Sequence, residues 1–259
     1  MKIGAQLYTV RKSCETLEAL DETLKKVANI GYTAVQLSGV CDYDCDWMAE
    51  KLRKYGLRAD ITHFKLSKII EDTDATIAFH KAMGTKYIGV GSVPNFKKSG
   101  CDMTLMYDFM DKIAPAVDRI YESGCKFMYH NHNMEFINLG GKNVLDLLCE
   151  RFPADRFGIT LDTYWVQAGG ADPAFWLRKL KGRVNCVHFK DMVYSGTDLA
   201  VRMAPIGQGN MNYPEILRAC DDSDVEFAYV EQDHCYDEDP FDCLKKSYDY
   251  LNSFGIISD

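Results

Sequence analysis

Eight short runs rich in β-branched and aromatic residues alternate along this chain with longer segments whose apolar residues have helical spacing. The runs fall near 3–9, 33–38, 58–63, 86–91, 126–132, 158–163, 184–190 and 227–233. Between the first two, Leu17, Leu20, Leu24 and Val27 recur at three- and four-residue steps and stop at Gly31, which predicts a helix with a glycine end. Met106, Phe109, Met110 and Ile113 begin another such stripe. Strand followed by helix, eight times over without a composition break or low-complexity linker, predicts an α/β fold of the (β/α)8 TIM barrel type, with residues 1–259 as a single domain. A doubly wound open sheet is the next fold that fits. With 259 residues, 47% of them hydrophobic, the chain can bury the core such a barrel requires.

In a barrel the chemistry gathers at the C-terminal ends of the strands. Four of the later runs, KFMYHNH, GITLD, VNCVHFKD and FAYVEQD, place polar residues there two positions apart. Strand side chains alternate faces, so His130 and His132 share a face, as do Thr160 and Asp162, His188 and Lys190, and Glu231 and Asp233. Asp162, His188 and Glu231 come from three consecutive strands and predict a divalent-metal site. The fourth ligand should come from strand five. His130 and His132 differ in depth by roughly 6 to 7 Å, and register with the other strands favours His130 as ligand and His132 as a residue facing substrate. Two imidazoles and two carboxylates suit Mn²⁺, Co²⁺, Zn²⁺ or Fe²⁺ better than Mg²⁺. Any one of these residues alone is as readily a structural hydrogen-bonder. A cluster of acids and imidazoles in one barrel mouth is costly to desolvate unless it binds something.

Charge and cysteine usage exclude several function classes. A formal net charge of −8 disfavours nucleic acid, whose phosphates call for clustered Lys and Arg. No apolar run approaches the length of a membrane span, and the N-terminus leads straight into a strand, so a cytoplasmic protein is expected. Ten cysteines are scattered through the chain without a C-x-x-C pair and read as reduced thiols. Cys41 and Cys45, beside Asp42, Asp44 and Asp46, read as a solvated acidic loop. His80, on a predicted helix, reads as structural. The sequence is compatible with a homo-oligomer.

The motifs GAQLYTVR, YHNHNMEF, LDTYWVQAGGADP, VHFKD, IGQGNMNY and YVEQD span nearly the whole chain. Through them it resembles the xylose isomerase-like TIM barrels known as sugar phosphate isomerases/epimerases, relatives of ketose epimerases, hydroxypyruvate isomerase and inosose dehydratase. That resemblance implies a metal set of Glu, Asp, His and Glu from strands five to eight. The family Asp, His and final Glu fall on Asp162, His188 and Glu231, whereas His130 stands where a ketose epimerase has its first Glu. The YHNH string is more similar to the histidine-rich strand of inosose dehydratases.

The resemblance implies a metal-dependent isomerase or epimerase that abstracts a proton next to the carbonyl of a keto sugar through a metal-stabilised enediolate. A dehydratase or lyase acting on a keto-inositol or 3-keto-glycoside is the alternative, and a non-catalytic sugar-binding barrel is an alternative of another class. Candidate acid/base residues are Glu231, His132, Lys190, with a pKa lowered by a neighbouring cation, and Glu135. Tyr8, His63, Trp165 and Arg202 are candidate contacts for a small carbohydrate substrate, Trp165 by stacking on a sugar face and Arg202 by binding a hydroxyl or phosphate. A nuclease of the abasic-site type shares the barrel but needs more ligands and a basic groove.

Overall fold

The computed structural model describes residues 1–92 and 102–256. Eight parallel strands form the barrel: β1 (Lys2–Gln6), β2 (Ala34–Gln36), β3 (Ile61–His63), β4 (Tyr87–Val90), β5 (Lys126–His130), β6 (Phe157–Asp162), β7 (Cys186–Phe189) and β10 (Phe227–Val230). They pair in the order β2, β1, β10, β7, β6, β5, β4, β3. The outer two meet through Val35 N–H donating to Arg58 O at 2.8 Å and His63 N–H donating to Leu37 O at 3.0 Å. Each expected run overlaps one barrel strand, β1 and β6 beginning one residue earlier than expected. An antiparallel hairpin that the sequence reading did not anticipate, β8 (Asp191–Ser195) with β9 (Ala200–Ala204), follows β7 directly.

Helices α1 (Leu17–Ile30), α2 (Cys45–Tyr55), α3 (Leu66–Glu71), α4 (Thr73–Ala82), α5 (Met103–Glu122), α6 (Val144–Arg151), α7 (Thr163–Ala168), α8 (Pro173–Lys179), α9 (Tyr213–Asp222) and α10 (Pro240–Asn252) surround the sheet. Local chemistry sets their ends. The Thr16 hydroxyl accepts from Ala19 N–H to start α1, and Gly31, at φ +119°, ends it. Leu20, Leu24 and Val27 are buried from that stripe while Leu17, at the first turn, is exposed. On α5 all four expected apolar residues are buried, each worth roughly 1.5–3 kcal/mol of transfer free energy. Asp44 of the acidic loop caps α2, accepting from Asp46 and Trp47 N–H, and the nine cysteines among the described residues are unpaired.

Two cores result. The larger lies between sheet and helices, and a smaller one, built from Ala34, Ile61, Tyr87, Met128, Cys186 and Tyr229, plugs the barrel's lower half. Gly158 makes room for that plug, because a Cβ there would lie 2.4 Å from Met128 Sδ. The plug leaves the upper barrel to polar side chains.

Candidate active site

Asp162 ends β6 and begins α7, so its backbone and one carboxylate oxygen are already committed. Its N–H donates to Asn131 Oδ1 at 3.0 Å and its Oδ1 accepts from Trp165 N–H at 3.0 Å, which leaves Oδ2 for the barrel mouth. His188 lies directly beside it in register on β7. Glu231 follows β10 and is tied to the sheet by its N–H, which donates to Phe189 O at 3.0 Å. His130 ends β5 with Nε2 at 3.2 Å from Asp162 Oδ2. One ligand atom from each of these four buried residues lies within 4.8 Å of the others.

The tautomers of both histidines follow from their outer partners. His130 Nδ1 lies 3.2 Å from Gly91 O and His188 Nε2 lies 2.6 Å from Gln36 Oε1. Both oxygens accept, so those nitrogens carry protons and the inner ones, His130 Nε2 and His188 Nδ1, are left to face carboxylates. An outer N–H fixed on a carbonyl oxygen with the other nitrogen turned inward is how a protein prepares an imidazole for a metal ion. His188 Nδ1 stands 2.8 Å from Glu231 Oε2, close enough for one proton to bridge the two atoms. Two lone pairs cannot rest so close without a positive charge between or upon them. Either a second proton on the imidazole or a cation satisfies the contact. The donor set therefore fits a divalent metal ion.

The charges support this fit. Lys190 is fully buried with Nζ at 3.1 Å from both Asp162 Oδ2 and Glu231 Oε2 and 3.2 Å from Asp233 Oδ1. Three carboxylates against one ammonium leave two negative charges for a divalent ion to neutralise. Burial alone would raise the pKa of Asp162, but Lys190 and the two imidazoles outweigh it and hold the group well below the carboxylate range. Glu231 is lowered in the same way, burial being overcome by Lys190 and His188. Burial also opposes the charge on Lys190, yet Asp162, Glu231 and Asp233 raise its pKa above the usual value. Without an ion in the cluster Lys190 is held as an ammonium, and the lowered lysine expected from the sequence depends on a neighbouring cation. Asp233 is pushed up to about 6 by burial and then by Glu231. Against burial, Glu231 and Asp162 raise His188.

A cavity of about 490 Å³ opens above the cluster, lined among others by Tyr8, Arg11, His63, His132, Trp165 and His234. The His63 ring centroid is 5.0 Å from that of His130 and 5.4 Å from that of His188, and burial followed by these imidazoles keeps it neutral. Trp165 lies at 5.3 Å from His132 and under the Lys190 ammonium at 5.4 Å. The Arg11 guanidinium covers Tyr8 at 4.2 Å and donates to Asp233 O at 3.0 Å. Two expected residues are placed elsewhere. Arg202 sits on β9, paired with Asp198 at 2.7 Å and stacked on Tyr236 at 4.4 Å. Glu135 is fully buried behind β5, accepting from Tyr129 Oη–H at 2.5 Å and from His132 N–H at 2.7 Å. It positions His132 and does not reach the cavity as an acid or base. His80 bonds Thr62 and Thr76 O, each at 2.7 Å, away from the site.

The fold agrees with the comparison to known proteins. Residues 24–253 match the family model described as xylose isomerase-like TIM barrel. The chain belongs to this family. Among relatives, an inosose dehydratase of Mesomycoplasma hyopneumoniae (strain 7448) is 22% identical over 91% of this chain and 88% of its own length. A sugar phosphate isomerase/epimerase from Parabacteroides distasonis ATCC 8503 superposes with a TM-score of 0.82 at 21% identity, covering 99% of this chain and 95% of that one. The IolI protein, solved with a bound zinc atom, superposes with a TM-score of 0.72 at 15% identity over 100% of this chain and 98% of its own.

Within this xylose isomerase-like barrel, three supporting residues escaped the sequence reading of roles. Gln36, at the end of β2, sets the His188 tautomer. Asn131 faces away from the mouth yet orients Asp162. Asp191 accepts from the N–H groups of Met192, Gly207, Gly209 and Met211, so the glycine loop is folded around a carboxylate. A Cβ on Gly209 would lie 2.3 Å from Asp191 Oδ1. The period-2 pattern marks which side chains face the mouth, and it carries no signal for these outer partners.

Proposed function

We propose that this chain is a divalent-metal-dependent sugar isomerase or epimerase that moves a proton beside the carbonyl of a keto sugar. The observation that carries this reading is the pair of inward-turned imidazole nitrogens facing the Asp162 and Glu231 carboxylates beneath an open cavity. His130, Asp162, His188 and Glu231 would hold the ion, and the zinc of the IolI protein supports such a role for the fold. A divalent ion there would polarise the carbonyl and stabilise the negative charge that develops when the adjacent proton leaves.

The remaining work falls to the chain. Glu231 is the carboxylate that both belongs to the cluster and lines the cavity, so it takes the proton from the sugar carbon. Lys190, held as an ammonium, donates a hydrogen bond to developing oxygen charge and takes up no proton. His132, at the rim and fixed through its backbone by Glu135, donates a proton of its own to the neighbouring position, and exchange with solvent restores both groups. The Trp165 ring offers a face to the sugar, and its Nε1–H, without a partner among the described residues, is a donor for a hydroxyl.

A second reading is dehydration or another elimination. It is favoured by His130, which leaves strand five without the carboxylate of a symmetrical two-glutamate exchange, and by the inosose dehydratase among the relatives. NMR in D₂O with Mn²⁺-loaded protein and a panel of ketoses, keto-inositols and 3-keto-glycosides separates the readings. Deuterium uptake with a rearranged sugar supports isomerisation or epimerisation, and loss of water or aglycone supports elimination. No exchange together with no retained metal would overturn both in favour of a sugar-binding barrel.

A further inference from the structure

A second and larger cavity, about 790 Å³, adjoins the site on the side of β2 and β3. Ser38 and His63 line both cavities, so the two communicate. Each volume lies within the range of small-molecule pockets. The far wall of the larger one is apolar and aromatic. Tyr43, Phe64 and Phe79 form a tilted cluster with centroids 5.6 and 5.5 Å apart, and Val40 adds an aliphatic face. Such a wall has no use for a free sugar, whose hydroxyls would lose water against it without gaining partners. Its charged rim, Lys65 and Lys68 against Asp42, Glu71 and Asp72, carries no positive excess and does not select a phosphate.

We infer that the substrate is a sugar bearing an apolar, aromatic substituent, with the sugar ring over His130 and Glu231 and the substituent seated among Tyr43, Phe64 and Phe79. This deepens and rests on the proposed action at a sugar carbon. His63 marks the junction, the place of the bond joining sugar to substituent, and its Nε2 has no hydrogen-bond partner among the described residues. A flat aromatic group fits the aromatic wall by offset or edge-to-face contact and gains from the apolar area it covers.

The test is calorimetric titration of the full-length, Mn²⁺-loaded protein with phenyl β-D-glucoside and methyl β-D-glucoside. Neither carries a ketone, so binding is read apart from proton abstraction. The expected result is phenyl glucoside bound about tenfold or more tightly than the methyl compound, with this ratio falling towards unity in Phe79→Ala. Tyr43→Leu provides the same reading if Phe79→Ala does not fold. Equal affinities in the wild-type protein, or a phenyl preference untouched by both variants, would overturn the inference. Deuterium exchange with a ketose reports separately on the catalytic reading: exchange without a phenyl preference retains the reaction and removes the aromatic subsite, and the reverse retains the subsite alone.

Discussion

His188 holds its Nδ1 2.8 Å from Glu231 Oε2, an imidazole nitrogen and a carboxylate oxygen in direct contact. The contact is stable only with positive charge, and Lys190 at 3.1 Å from the same oxygen supplies part of it. A proton on His188 or a cation held by the cluster supplies the rest.

Glu231→Gln tests the acid/base assignment. The amide keeps the shape of the side chain and removes its capacity to take a proton. Turnover is expected to fall by about 10²–10⁴-fold, the usual range for a positioned acid or base, with the circular dichroism spectrum unchanged. Activity near that of the wild type would remove Glu231 from this role.

Gln36→Leu tests tautomer control. Without Oε1 at 2.6 Å, His188 Nε2–H loses its acceptor and the ring loses its orientation. Metal affinity is expected to drop about 10–100-fold, as for other supporting partners of metal-bound histidines. Competition with a fluorescent chelator measures it.

Asp191 tests the loop. Its carboxylate satisfies four backbone N–H groups, so Asp191→Ala leaves four part-buried donors without their acceptor, each costing up to about 1–3 kcal/mol. Urea unfolding should show a loss of at least ~2 kcal/mol. Gly209→Ala, whose Cβ meets Asp191 Oδ1 and Met192 O, should cost about 1–3 kcal/mol through overpacking.

Stability of the metal-free protein should fall on the acid side. Asp162 and Glu231 have folded pKa values well below their ordinary 3.8 and 4.5. Their contribution is complete above those ordinary values and is lost as pH falls below them towards the folded ones. His188, raised above 6.5, contributes in full below that value and loses its contribution as pH rises through its folded pKa. Thermal midpoints measured with and without Mn²⁺ should show the metal's stabilisation growing as pH rises towards the folded pKa of His188, whose proton the metal displaces, and levelling above it. A pH-independent increment would contradict this.

The barrel was legible because alternation of strand and helix is written in apolar spacing, and the inward face of each strand follows from a period of two. That is why His130, Asp162, His188 and Glu231 could be drawn together from sequence. What lay beyond strand ends was not legible. Arg202 belongs to a hairpin whose two strands form a sheet of their own among the described residues, so no barrel period marks it. Glu135 follows the YHNH strand closely in sequence, but a short helical turn carries it behind β5. The length of the Lys190 side chain lets it reach across to three carboxylates, a relation that spacing along a strand does not encode.

The central claim is that these four residues hold one divalent ion, and calorimetric titration of metal-free protein with Mn²⁺ tests it most directly. The account predicts saturation at one ion per chain for the wild-type protein and no measurable binding for Asp162→Ala folded to the same secondary structure. A wild-type protein that takes up no ion, or a variant that binds as the wild type does, would contradict it.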